Sequence, residues 1–164
     1  MVEILRHPQT LIDCRTGDHI GFQVGRSGDP DTPVFIDVSG VRWVLPRGEA
    51  SSISFAGDRI TRLAARARKR NAAIAEKRLY RRMSTGGEIS IATVNVDDEP
   101  AVDFRFCSIS AIFTGGAMQE FIAVLARIDD VLAEMHAGQA ALAGGVRQTH
   151  GSLSGFELPH WARD

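Results

Sequence analysis

The hydrophobic pattern of the first third of the chain is a series of short apolar runs, which read as strands. Ile20 to Val24, Val34 to Val38, Val41 to Leu45 and Ser52 to Phe55 are short runs rich in β-formers. Turn signals separate them: Arg26-Ser27-Gly28-Asp29-Pro30, Ser39-Gly40 and Pro46-Arg47-Gly48. Short strands joined by tight turns predict an antiparallel meander. The period then changes. From Arg59 to Met83 there is no Gly or Pro, and Ala, Arg, Lys, Leu and Glu dominate, all strong helix formers. Ile60, Leu63, Ala64, Ala67, Asn71 and Ile74 recur at three- and four-residue spacing, which predicts a helix with a thin, alanine-rich stripe. Asp58 stands as its N-cap or first-turn acid, and Ser84-Thr85-Gly86-Gly87 closes it.

The second half repeats the order. Ile89 to Val96 alternates, Asp97-Asp98-Glu99-Pro100 reads as a turn, and Val102 to Phe113 is a second extended stretch with a break near Ser108. After Gly115-Gly116, a helix over Ala117 to His136 is predicted. Met118, Phe121, Ile122, Leu125, Ile128, Val131, Leu132 and Met135 form its broad apolar face. From Ala137 the pattern fades, and 139–164 reads as a flexible or docking tail in which Phe156, Leu158 and Trp161 are the docking candidates.

The expected fold class is therefore α+β, antiparallel strands followed by a helix, occurring twice. The pseudo-repeats cover about 18–83 and 87–136 of one domain spanning 1–138. Aligning the two strand-to-helix junctions sets Phe55 against Phe113, and the helical apolar positions then follow in step. Such halves form a pseudo-dimer within one chain, or the chain pairs as a homodimer. With 164 residues, 44% of them apolar, the chain can bury a core without disulfides or metals.

The formal net charge is only −1, but it is unevenly spread. Asp58 to Met83 holds ten of the 19 Lys and Arg and two of the 20 acids, a net of +8 against −9 elsewhere. One reading is a surface for a phosphate backbone, on which each contact releases counterions. Arg predominates, and Arg is the better bidentate phosphate ligand. The other reading is a solvated face answered by acids of this chain or of an acidic protein partner. A membrane surface is not expected, because alanine is a poor interfacial anchor.

Other chemistry is sparse. His7, His19, His136, His150 and His160 include no i, i+4 pair, and Cys14 and Cys107 are far apart. No metal site, zinc knuckle or CxxC motif is expected. The acidic turn Asp97-Asp98-Glu99 with Asp103 lacks calcium-loop spacing, and phosphate-binding glycine loops are absent. Gly115-Gly116 ahead of a helix could hold an anion. No catalytic residue, cofactor or enzyme activity is expected. The N-terminus lacks the apolar core of a signal peptide and no run reaches membrane-span length, so cytoplasm is the expected location. Alternation places Trp43 in the core, opposite Arg42, and Phe104 and Phe106 opposite Arg105.

The segment Ala101-Val102-Asp103-Phe104-Arg105, the strand end Ile112-Phe113, and the helix with Met118, Phe121, Leu125 and Ile128-Asp129-Asp130 resemble the core of the transcriptional coactivator positive cofactor four. Its superfamily also includes the Whirly and Pur proteins. The resemblance covers about Ile89 to Met135. It implies four strands and a helix, used as a dimer or as two repeats, and a sheet face that binds single-stranded nucleic acid through basic and aromatic residues. Arg105 falls where that family has a strand arginine. Two departures stand out: about 25 residues between Gly87 and Phe113 are few for four strands, and the acidic turn repels phosphate. The expected nucleic-acid contacts are Arg42, Arg47 and Arg105 from the sheet and Arg66, Arg70, Arg78 and Arg81 from the basic helix.

Overall fold

In the computed structural model, which describes residues 9–82 and 86–150 (139–150 as backbone alone), strands and helices come in two similar sets. The first is β1 (Thr10–Asp13), β2 (His19–Arg26), β3 (Val34–Val38), β4 (Val41–Leu45) and α1 (Arg47–Arg70). The second is β5 (Arg78–Arg82), β6 (Glu88–Val96), β7 (Glu99–Phe106), β8 (Ile109–Thr114) and α2 (Gly115–His150). Each set forms an antiparallel four-stranded sheet in simple sequential order. The protein is α+β, with two sheet-then-helix halves.

The last two strands of each half share a register. Val34 pairs with Leu45 in the first sheet and Val102 with Phe113 in the second, a constant offset of 68 positions along these hairpins. Continuing that offset matches Ile53 to Phe121, Gly57 to Leu125 and Ile60 to Ile128 on the two helices. Phe113 thus corresponds to Leu45, not Phe55. The sequence alignment failed because Ser52 to Phe55 is helical, and Phe55 lies exposed on α1.

The helix boundaries also differ from expectation. Pro46 occupies the N-cap position of α1, with its carbonyl accepting from the Ala50 N–H at 3.0 Å. Proline there presets the backbone and has no N–H to leave unpaired. The helix therefore begins 12 residues before Arg59. It ends at Arg70, where Asn71 takes a left-handed conformation (φ 48°) and the Ala72 N–H reaches back to the Ala67 carbonyl at 3.0 Å, a Schellman-type stop. Residues 72–77 are held extended by β6 side chains. Asn95 accepts from the Ile74 N–H at 2.9 Å and donates to the Ile74 carbonyl at 3.0 Å. Thr93 donates to the Ala75 carbonyl at 2.6 Å and accepts from the Lys77 N–H at 2.9 Å. Lys77 to Arg82, expected as helix, thereby becomes the approach to the edge strand β5 and β5 itself. The fourth strand of the second sheet comes from before Gly87, which removes the apparent shortage of residues. The stretch Val102 to Phe113 divides into β7 and β8 at Cys107-Ser108. At the C-terminal end α2 runs to His150, past the expected His136 and into the expected tail. Phe156, Leu158 and Trp161 lie outside the described residues.

One core unites the halves. Phe22 of β2 meets Phe104, Phe113 and Phe121 at centroid distances of 5.6, 6.1 and 5.8 Å. Trp43 of β4, expected in the core, is half-buried and packs against the core's edge on Phe106 at 4.8 Å. Each buried phenylalanine contributes roughly 1.5–3 kcal/mol. The α1 stripe is thin because α1 runs close against α2: a Cβ on Gly57 would lie 3.1 Å from the Leu125 Cβ. The first half also reaches the second through the Arg15 N–H bond to the Ile112 carbonyl (3.1 Å) and an Arg15–Asp97 ion pair (2.7 Å). That pair neutralises part of the acidic turn.

Candidate nucleic-acid interface

Strand register decides which side chains share a face. In the second sheet Ile89, Ile91, Val102, Phe104, Phe106 and Phe113 point inward and are buried. The opposite face carries a row running directly across four strands: Tyr80, Ser90, Arg105 and Ser110. A second row is Arg78, Ala92, Asp103 and Ile112, and Arg82 stands opposite Glu88. Ser90 and Ala92 in the middle of this face are small and buried beneath the longer side chains around them. Tyr80, 53% exposed, rises at one margin. With strands about 4.8 Å apart, Tyr80 and Arg105 stand roughly 10 Å from each other.

The face is basic at its rim and internally braced. Arg78 donates to Ser90 Oγ at 2.9 Å and lies 3.9 Å from Asp103. Arg105 contacts the same carboxylate at 3.3 Å. Asp103 is therefore shared by two guanidiniums that both remain about half exposed. Hydrogen bonding toward the Glu88 carboxylate, ahead of partial desolvation and the Glu88 charge, pushes the ionisation of Tyr80 up, so Tyr80 is neutral at physiological pH.

No family model, curated protein or solved structure matches this chain. The site therefore rests on its geometry.

The seven expected contact residues do not form one site. Arg105 and Arg78 are brought together, but Arg78 comes from strand β5 and not from a helix. Arg81, also on β5, turns to the other side of the sheet and donates to Ser52 Oγ on α1 at 3.2 Å. Arg42 lies on the outer face of the first sheet, 3.6 Å from Asp37 and 4.1 Å above the Phe35 ring. That pairing leaves its charge offset and the ring covered. Arg47, expected on the sheet, opens α1, and its Nη1 is buried. Arg66 and Arg70 are on α1 as expected, away from the sheet face. Phe104 and Phe106 are core residues, so neither is a stacking platform for a ligand beside Arg105.

Tyr80 and Arg82 were missed because the run Arg78-Leu79-Tyr80-Arg81-Arg82 sits among helix formers. Its signal is the alternation: Leu79 alone packs on the core while its neighbours are exposed. Among the described residues there is no cluster of ligands for a metal ion. None of the described helices is long and apolar enough to cross a membrane.

Proposed function

We propose that the protein is a non-catalytic, regulatory binder of single-stranded nucleic acid, using the outer face of the second sheet. The observation that carries this reading is the register of exposed Tyr80 with Arg105, with Ser90 between them and Arg78 and Arg82 beside Tyr80 on the same strand. An exposed ring stacks on an unpaired base of any identity, while guanidiniums hold phosphates. A duplex hides its base faces, so the same surface discriminates against it. The resemblance to the positive cofactor four superfamily points to the same face and to Arg105.

The test is fluorescence anisotropy with a labelled single strand and its duplex at low and near-physiological salt. Preferential single-strand binding is expected. Tyr80→Ala is expected to cost about 1–3 kcal/mol, and Arg105→Ala to lower the salt slope by about 0.7 for one lost phosphate contact. Equal affinity for the duplex, or a Tyr80→Ala variant that binds like the parent, would overturn the assignment.

A further inference from the structure

The cations of the sheets and loops are largely answered by the protein's own acids. Arg15 meets Asp97, Arg26 meets Glu134, Arg42 meets Asp37, and Arg78 and Arg105 share Asp103. A different situation holds along the exposed side of α1 beside β5. There Phe55, Arg59, Arg62, Leu63, Arg66 and Lys77 line an open groove of ≈ 450 Å³. No acid lines it, and none of its four cations takes part in an ion pair among the described residues. Phe55, Arg59, Arg62 and Arg66 follow the i, i+4, i+7, i+11 pattern of a single helix face, so the arginines stand about one helical turn apart. Phe55 is 57% exposed at one end, with the Arg62 guanidinium 5.2 Å from its ring centre.

From this we infer that the α1–β5 groove is a second nucleic-acid contact, carrying the sugar-phosphate backbone of a single strand that continues from the sheet face over the β5 edge. The inference rests on the nucleic-acid reading of the sheet. Lys77 and Arg78 are consecutive, one lining the groove and the other bordering the sheet face, so β5 joins the two surfaces. Uncompensated like charges repel one another in the free protein and gain most from a polyanion. Arginine forks suit phosphate oxygens, and Phe55 beneath Arg62 offers a ring on which a base can stack. An acidic peptide would satisfy the charges but makes less use of the part of the Phe55 ring that Arg62 leaves exposed.

The experiment measures salt-dependent anisotropy for the parent, for Arg59→Ser/Arg62→Ser/Arg66→Ser, for Phe55→Ala, and for Arg105→Ser. The probe is a labelled oligothymidine of about 20 nucleotides, with polyglutamate as competitor. Phe55, Arg62 and Arg66 are exposed and Arg59 is half-buried on one helix face, and circular dichroism checks that each variant is folded. Three lost phosphate contacts lower the slope of log K against log salt by about 2. Phe55→Ala is expected to weaken oligothymidine binding at least fivefold while leaving polyglutamate binding unchanged. Parent-like binding by both groove variants, with Arg105→Ser impaired, overturns the groove and spares the sheet reading. No binding by the parent removes both. Polyglutamate competing as well per charge as free oligothymidine, with Phe55→Ala silent, overturns the inference in favour of an acidic protein surface.

Discussion

Asp103→Asn is expected to tighten single-strand binding, an unusual direction for a substitution at a binding face. Asp103 lies 3.9 Å from Arg78 and 3.3 Å from Arg105, and its side chain is only 14% exposed. A phosphate held by either guanidinium would sit roughly 6 Å from this carboxylate. Coulomb's law at that separation gives a repulsion of about 0.7 kcal/mol in a water-like dielectric and about 2.8 kcal/mol at an effective dielectric of 20. Salt screening trims the upper end. The isosteric amide removes the repulsion and keeps an oxygen that accepts from Arg105. The expected gain is therefore about 3- to 30-fold in affinity at low salt, shrinking as salt rises. Stability should fall by no more than about 1 kcal/mol, because both guanidiniums are half exposed. Anisotropy titrations of parent and variant, with urea unfolding alongside, measure both quantities. Unchanged or weaker binding by a folded Asp103→Asn protein would mean that phosphate does not approach this row, and the sheet-face reasoning would fail.

Three further outcomes concern the scaffold. Gly57→Leu should destabilise by about 1–3 kcal/mol through overpacking against Leu125, partly masked by the better helix propensity of leucine; a parent-like melting temperature would show that the helices do not cross there. Asn95→Ala strands the N–H and carbonyl of buried Ile74 and should cost about 1–3 kcal/mol in urea unfolding, whereas a change under about 0.5 kcal/mol would show that the clamp is unimportant. Burial first, then the charges of Asp18 and Asp13, push the Cys14 thiol up. Less thiolate is present at any given pH, so Cys14 should alkylate more slowly than exposed Cys107 and keep accelerating above the usual thiol range; equal rates at pH 8 would contradict that.

Short apolar runs between turn signals made β2, β3 and β4 legible, alternation did so for β6, and the two-fold order of strands and helix followed. The misreadings have physical causes. Ser52 to Phe55 looks like a strand because Ile and Phe favour strands, yet Ile53 is needed on the buried stripe of α1, and tertiary packing overrode local preference. The segment from Ala72 to Arg82 consists largely of helix formers, but Asn95 and Thr93 capture its backbone, and pairing with β6 outweighs a few tenths of a kcal/mol of propensity per residue. That one error scattered the candidate site, since it placed Arg78 and Arg81 on a helix beside Arg66 and Arg70. Arg105 was readable because alternation with Phe104 and Phe106 fixes which way it points. Arg47 was not, because a Pro-x-Gly turn and a proline-led helix start look the same in sequence.

The 68-residue offset between the halves preserves the inside of the protein and not the outside. The counterpart of Arg105 is Asp37, that of Asp103 is Phe35, and that of Ser110 is Arg42. Two identical subunits would display every feature of the face twice. Here a substitution at Arg105 leaves the other sheet's face as it was, so the first sheet can serve as a fixed support while the second varies. On the proposed reading, each chain would offer a strand one such face and not two.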